Sequence, residues 1–340
     1  MSSNVAEIWQ QLVVMVRDRT GDRDAQVSEP VVLPGHAGLS YSFELDWRSR
    51  AGPAHEKLVI RLAPAGVRAA GPADIARQGR IMASLADTAV PVPPIRWIDE
   101  DPRWFGRPFF VGGFVAGEKL GELQITAAQA RPLVRSAVET LAALHAVDWQ
   151  SRRDAWGEPS ALAGELKRLD HLLDRDTLDP AAVALAPLAR EGLRASLSAA
   201  PRIGCVHGDF QWSNILMRPP MRDGGVAAVI DWELAQVGAT LLDLGWLCLF
   251  SDPDSWHSPI LVPARLPSLD EIVAIYTQSA KFPVSIREVR WFQAFSAYRF
   301  GVITAFNLML HRRGKRHDPI WEEVGKSAPR LFERALELLG

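Results

Sequence analysis

Cysteine is nearly absent from the 340 residues: only Cys205 and Cys248 occur. Two thiols are too few for a disulfide framework or a cysteine-based structural zinc site, so a reducing cytoplasm is the expected setting. Charge of one sign is also missing. With 38 basic and 40 acidic residues the formal net charge is −2, and nothing global draws the chain to nucleic acid or to an anionic membrane. No long hydrophobic run is present either. The most apolar stretch, Gly225 to Phe250, is interrupted by Asp231, Glu233 and Asp243, which a lipid-facing helix does not tolerate without partners. The short apolar run from Leu12 to Val16 is flanked by charge and reads as an amphipathic helix rather than a signal segment. Internal repeats and low-complexity tracts are not evident. What is present is ordinary globular material, 48% hydrophobic and 23% charged, long enough for two lobes with sizeable cores.

The two halves differ in pattern. Val31 to Leu33, Ser40 to Trp47 and Lys57 to Ala63 read as strands separated by glycine and proline, and Ile95 to Ile98 and Pro108 to Val115 supply two more. In the third strand, alternation sends Leu58, Ile60 and Leu62 to one face and Val59, Arg61 and Ala63 to the other. A helix is expected over Ala73 to Ala86, with Gln78 in its inward stripe. From Thr126 onward helices dominate: Ala127 to Val147, Ala181 to Ala199, Leu269 to Ala280, Ile286 to Leu310 and Ile320 to Leu339. A short hairpin, Ile215 to Met217 and Val226 to Ile230, interrupts them. Arg48 to Ala54 and Asp252 to Leu266 read as loops. The expectation is an α+β chain: a small antiparallel-sheet lobe over residues 1–115 and a mostly helical lobe over 116–340.

The hairpin is flanked by "VHGDFQWSNILM", Val206 to Met217, and by "VIDWELAQVGATLLDLGWL", Val229 to Leu247. Polar residues here break otherwise apolar segments. Asp209 and Asn214 stand in the D-x-x-x-x-N order of a protein-kinase catalytic loop, and Asp231 ends the hairpin where the kinase metal-binding Asp falls. The chemistry accounts for these residue types. Phosphoryl transfer through a loose transition state needs positioning and charge neutralisation, for which Asn and Asp oxygens suit Mg²⁺ and a second carboxylate orients the attacking hydroxyl. Asp243, three residues after Thr240, suggests a capping arrangement for a helix starting near Leu241. Glu233 shares a face with Asp231 if the strand continues, and either approaches the metal or is a surface carboxylate. His207 and His145 read as buried structural histidines, and most tryptophans as core or lobe-interface residues, with Trp212, inside the Asp209 to Asn214 loop, and Trp232, beside Asp231, set apart from them by their position. The basic cluster His311 to His317 reads as a solvated loop.

With "LAALHAVDW" upstream and "LLDLGW" downstream, these motifs resemble the aminoglycoside phosphotransferase and choline kinase-like enzymes, including the branch joined to acyl-CoA dehydrogenase-like proteins. The resemblance spans most of the chain. It implies a two-lobed protein-kinase-like fold with the active site between the lobes, and an ATP- or GTP-dependent small-molecule kinase. It further implies Asp209 as catalytic carboxylate, Asn214 and Asp231 as Mg²⁺ ligands, and Arg61 as the phosphate-facing base. Val59 would roof the adenine, Gly113, Phe114 and Val115 would form the hinge that receives it, and Gly35, Gly38 and Ser40 would cover the phosphates. Asp243 and His207 would brace the catalytic loop, and Gln78 stands where the family carries a Glu paired with the base. Asp74, one turn earlier, is a substitute partner. The acceptor expected is a small hydroxyl compound, with a hydroxyacyl thioester, a choline-like alcohol and a sugar all open; no nucleic acid or membrane partner is expected. The weakened glycine loop, Gln78 and Gly113 motivate one competing class, a nucleotide-binding pseudokinase with a regulatory or scaffold role. A metal-dependent hydrolase using His207, Asp209 and Asp231 is a third, disfavoured by the lack of a multi-histidine motif.

Overall fold

The computed structural model describes residues 2–33, 39–66, 70–175, 177–197, 200–218, 225–258 and 266–340. Gly35 and Gly38 of the expected phosphate-covering turn lie outside the described residues. By contact the chain separates into two compact units, Met1–Ala116 with Ala227–Leu234, and Gly117–Val226 with Ala235–Gly340.

The first unit is built on an antiparallel sheet. Its strands are β1 (Gln26–Val27), β2 (Val31–Val32), β3 (Ser40–Ser49), β4 (Gly52–Leu62), β5 (Ile95–Asp99) and β6 (Phe109–Gly113), accompanied by helices α1 (Ser2–Thr20) and α2 (Ile75–Ser84). The order is β1-β3-β4-β6-β5, with β2 also on β3. The alternation read in β4 is realised, because Leu58, Ile60 and Leu62 are buried while Val59 and Arg61 are half-buried. Leu58 and Ile60 join Phe43, Leu45, Phe109 and Val111 in a core that α1 covers with Ile8, Leu12, Met15 and Val16. Helix α2 approaches Ile98 and Phe110 through Gly79, where a Cβ would come within 3.0 Å of both side chains. One expected loop is a correction: Arg48 to Ala54 is the tip of a hairpin, with Ser49 paired to Gly52 across a two-residue turn. Gly52, at φ +117°, supplies the conformation that this tight reversal needs.

Helices dominate the second unit: α3 (Ala127–His145), α4 (Arg153–Trp156), α5 (Leu162–Leu173), α6 (Ala186–Ala195), α7 (Leu241–Leu249), α8 (Leu269–Ser279), α9 (Ile286–Arg312), α10 (Ile320–Val324) and α11 (Ala328–Leu339). Short strands β7 (Glu118–Lys119), β8 (Ile203–Val206), β9 (Ile215–Met217) and β11 (Gln236–Ala239) lie among them, and β10 (Val226–Val229) leads into the Ala227–Leu234 segment. The long α9 is the spine, against which α7 and α11 pack. Two helix expectations are corrected by proline. Ile320 to Leu339 is not one helix: Pro329 lacks an N–H and its ring would collide with the carbonyl four residues back, so a 3-10 turn at Gly325–Ser327 intervenes. The helix expected from Ala181 starts only at Ala186, with Pro187 in its first turn. Helix α5 and the β8–β11 pair were not expected. The strands are only four residues each, too short for a periodic signal.

Candidate functional site

In the second unit, β8 delivers the chain into His207, Gly208 and Asp209. Gly208 adopts φ +83°, a conformation with a steric cost for side-chain-bearing residues. Its N–H and that of His207 each donate to Asp243, at 2.7 Å to Oδ1 and 2.7 Å to Oδ2. Asp243 is fully buried on α7, so an uncompensated carboxylate there would be costly. Two backbone donors and the imidazole of His145, 3.2 Å from Oδ2, supply the compensation. His145 in turn meets the Tyr276 hydroxyl at 2.6 Å, and burial raises the phenol far above its usual range. The capping arrangement read from Thr240 and Asp243 is not formed. Thr240 makes no side-chain cap bond, since the Asp243 carboxylate faces the 207–208 turn instead.

Asp209 is partly exposed at the end of this turn. Its N–H donates to His207 Nδ1 at 3.3 Å, consistent with the structural reading of that buried ring. Asn214 closes the following 3-10 turn, Trp212–Asn214, and its Nδ2 donates both to the Asp209 carbonyl at 2.9 Å and to Oδ2 at 2.8 Å. Trp246 Nε1 donates to Oδ1 at 2.8 Å. Asp209 and Asn214 are therefore directly joined, and Trp246 is a neighbour that the sequence did not single out. Its position in "LLDLGW", one helical turn after Asp243, was the available signal. Trp212 and Trp232 are core residues, their indoles donating to Ser251 and to the Val229 carbonyl.

In the first unit, Ala227–Leu234 carries Asp231, the only non-glycine residue with positive φ, +65°, among those described. Asp and Asn tolerate this conformation best, and such strain concentrates at functional positions. A 3-10 turn, Trp232–Leu234, follows, so the continuing strand that would have put Glu233 beside Asp231 is not formed. Arg61 brings the two acids together: Nη1 donates to Asp231 Oδ1 at 3.0 Å and Nη2 to Glu233 Oε2 at 3.1 Å. Arg61 thus meets two carboxylates, while Gln78, at the position of the family's Glu, is buried as expected. Asp74 does not substitute for the missing Glu; its Oδ1 caps α2 by accepting the Arg77 N–H at 2.9 Å.

At the end of β6, a Cβ on Gly113 would sit 2.8 Å from Pro94 Cγ, so a side chain there would require Pro94 to shift. The Gly113 N–H donates to the Pro94 carbonyl at 2.8 Å and the Phe114 N–H to the Lys57 carbonyl at 2.9 Å. The Val115 N–H has no protein acceptor among the described residues. The Lys57 ammonium lies 4.4 Å from the centre of the exposed Phe114 ring. Val59 pairs with Ser42 and Gly112, and Ser40 with Arg61. Among the described residues no three His, Cys, Asp or Glu side chains form a metal-holding group, and no helix is long and apolar enough to cross a membrane.

The phosphotransferase enzyme family model matches residues 43–275. Among curated proteins, the mouse acyl-CoA dehydrogenase family member 10 is 28% identical over 297 residues, 83% of this chain but 27% of that protein. The chain thus spans about a quarter of the length of that relative. A solved structure from Ralstonia eutropha, provisionally named an aminoglycoside phosphotransferase, aligns with TM-score 0.76 at 22% identity over 97% of both chains. Aminoglycoside 2'-phosphotransferase-IIIa, solved with GDP, aligns with TM-score 0.66 at 15% identity over 97% of this chain and 99% of its own. The two-part α+β architecture is accordingly kinase-like. Since the family match takes in Arg61, Asp209, Asn214, Asp231 and Asp243 alike, the chain belongs to the phosphotransferase enzyme family.

Proposed function

We propose that this chain is a small-molecule kinase that moves the γ-phosphoryl group of ATP or GTP to a substrate hydroxyl. The observation that carries the reading is the Asp209 carboxylate, held by Trp246 and Asn214 on a turn that Asp243 fixes from within the core. Asp209 accepts the acceptor hydroxyl and aligns its oxygen with the γ-phosphorus. As the new P–O bond forms, the bond to the β,γ-bridging oxygen breaks, the nucleoside diphosphate leaves, and the hydroxyl proton passes to Asp209 and then to water.

The donor set fits Mg²⁺. It offers the Asn214 amide oxygen, left over because Nδ2 makes the bonds to Asp209, and the Asp231 carboxylate on its strained backbone. Such a sparse, all-oxygen set suits an ion that keeps several waters and takes the rest of its shell from phosphate. Bound there, Mg²⁺ would neutralise charge on the β- and γ-phosphates. In this reading Arg61 exchanges Asp231 and Glu233 for phosphate oxygens when nucleotide arrives. The Val115 N–H receives the base, with Val59 above the ring and Ser40 toward the phosphates. Residues 1–115 then act on the nucleotide, and 116–340 carry the catalytic loop, the metal ligands and the acceptor region.

A pseudokinase with a regulatory or scaffold role is favoured by one observation, the engagement of Arg61 with the expected metal ligand. One experiment separates the two. The purified chain with Mg²⁺ and ATP or GTP is screened against hydroxyacyl thioesters, choline-like alcohols and sugars, with nucleotide binding followed in parallel. Phosphorylated product, lost in Asp209→Ala, supports the kinase. Tight nucleotide binding without transfer to any acceptor supports the pseudokinase.

A further inference from the structure

Trp246 is more than the packing residue its 3% exposure suggests. Its ring is held on several sides: Phe250 lies 5.3 Å away, Phe300 meets it edge-to-face at 5.6 Å, and the Arg299 guanidinium stands 4.7 Å from the ring centre. The single polar atom of this ring, Nε1, is spent on Asp209. An indole donates only, so in an apolar setting the N–H needs an acceptor, and a charged one gives a stronger bond.

Arg299 is the less ordinary partner. It lies on α9, 6% exposed, and its Nε is buried without a hydrogen-bond partner among the described residues. Among the described residues no ion pair compensates it at contact distance; the opposite charges that act on it are Glu165, Asp209 and Asp243, and Arg168 opposes them. A cation buried with so little direct compensation is costly. Over the face of Trp246 it draws on the ring quadrupole and polarises the N–H toward Asp209.

We propose that Trp246, backed by Arg299, is a positioning residue that keeps Asp209 Oδ1 on the indole and so makes Oδ2 the oxygen offered to the acceptor hydroxyl. Rotation about the carboxylate bond would exchange the two oxygens and swing the lone pairs off line. The indole on Oδ1 and Asn214 Nδ2 on Oδ2 oppose that rotation from opposite ends. Orientation of this kind lowers the barrier without adding a reacting group. The proposal rests on the reading of Asp209 given above.

The test uses the full chain and reads both the contact and its consequence. In a spectrum of ¹⁵N-tryptophan protein the indole signal lost in Trp246→Phe is assigned to Trp246. That signal is expected to shift in Asp209→Ala; no shift would overturn the contact whether or not the protein is active. With Mg·ATP and water as acceptor, Trp246→Phe is expected to lower kcat about tenfold, the scale of a lost charge-assisted bond, with KM for ATP unchanged. Arg299→Met is expected to lower kcat about threefold and Arg299→Lys to recover much of it, as loss and return of a cation over the ring require. Unchanged kcat in Trp246→Phe, or a fall in Arg299→Met that lysine does not recover, would overturn the proposal. If Trp246→Phe does not fold, the Trp246 signal is assigned through its shift in Arg299→Met, and the Arg299 pair decides. A wild-type chain that neither binds nor hydrolyses ATP would instead contradict the kinase reading itself, with the indole shift still reporting the contact.

Discussion

The two units hold their acidic residues by opposite means. In the second, Asp243 is fully buried and bound by two backbone N–H groups and an imidazole, and Asp209 has a donor on each oxygen. In the first, Asp231 and Glu233 keep 37% and 33% of their side-chain surface exposed and share one arginine. Donors fixed in the backbone make a built arrangement; a flexible side chain between two half-exposed acids makes an exchangeable one. The comparison teaches a difference in construction, and under the proposed function it becomes a division of labour: the group assigned to the hydroxyl is prebuilt, while the charges assigned to metal and phosphate are parked on each other.

The largest effect expected belongs to the prebuilt side. Asp209→Ala should lower phosphoryl transfer about 10²- to 10⁴-fold, the usual contribution of a proton-accepting group, with nucleotide affinity nearly unchanged. Steady-state rates beside a nucleotide titration check this; equal loss of rate and binding would blur the distinction. Next comes Asp243→Ala. It strands two buried N–H groups, each costing about 1–3 kcal/mol, so urea unfolding should show a loss of about 2–5 kcal/mol. A loss below about 1 kcal/mol would place Asp243 among ordinary surface acids.

Breaking the exchangeable side should cost far less stability. Arg61→Met removes two partly exposed ion pairs, and unfolding should change by under about 1 kcal/mol, while affinity for Mg·ATP falls about tenfold, the scale of one charged hydrogen bond to phosphate. A large stability loss with unaltered affinity would make Arg61 a structural cation. Smallest is a thiol measurement: burial pushes the Cys205 and Cys248 thiols up to about 12, far above neutral pH, so the native chain should be nearly silent to a thiol reagent at pH 8 and release two equivalents on unfolding. Fast reaction of either thiol in the native state would show that its surroundings open.

Much of this was legible in the sequence because strong local signals carried it. The alternation in β4 put Arg61 on the face opposite Leu58 and Ile60, the stripe of α2 turned Gln78 inward, and the Asp209 to Asn214 spacing set two side chains in direct contact. What escaped depends on partners distant in sequence. No local rule says that Arg61 meets acids 170 and 172 residues away. The reading of Asp243 as a helix cap failed for the same reason, since its buried carboxylate accepts the N–H groups of His207 and Gly208, distant in sequence. Trp246 hid inside an apolar helix whose pattern announces only burial. Gly113 looked like a departure, yet a side chain there would require Pro94 to shift.

The central proposal is that Asn214 and Asp231 each contribute to binding of Mg²⁺ and nucleotide. Calorimetric titration of ATP into wild type, Asn214→Ala and Asp231→Asn, each with and without Mg²⁺, tests it most directly. The account predicts that Mg²⁺ tightens binding to wild type and that either substitution abolishes most of that gain. Equal Mg²⁺ enhancement in all three proteins would contradict it.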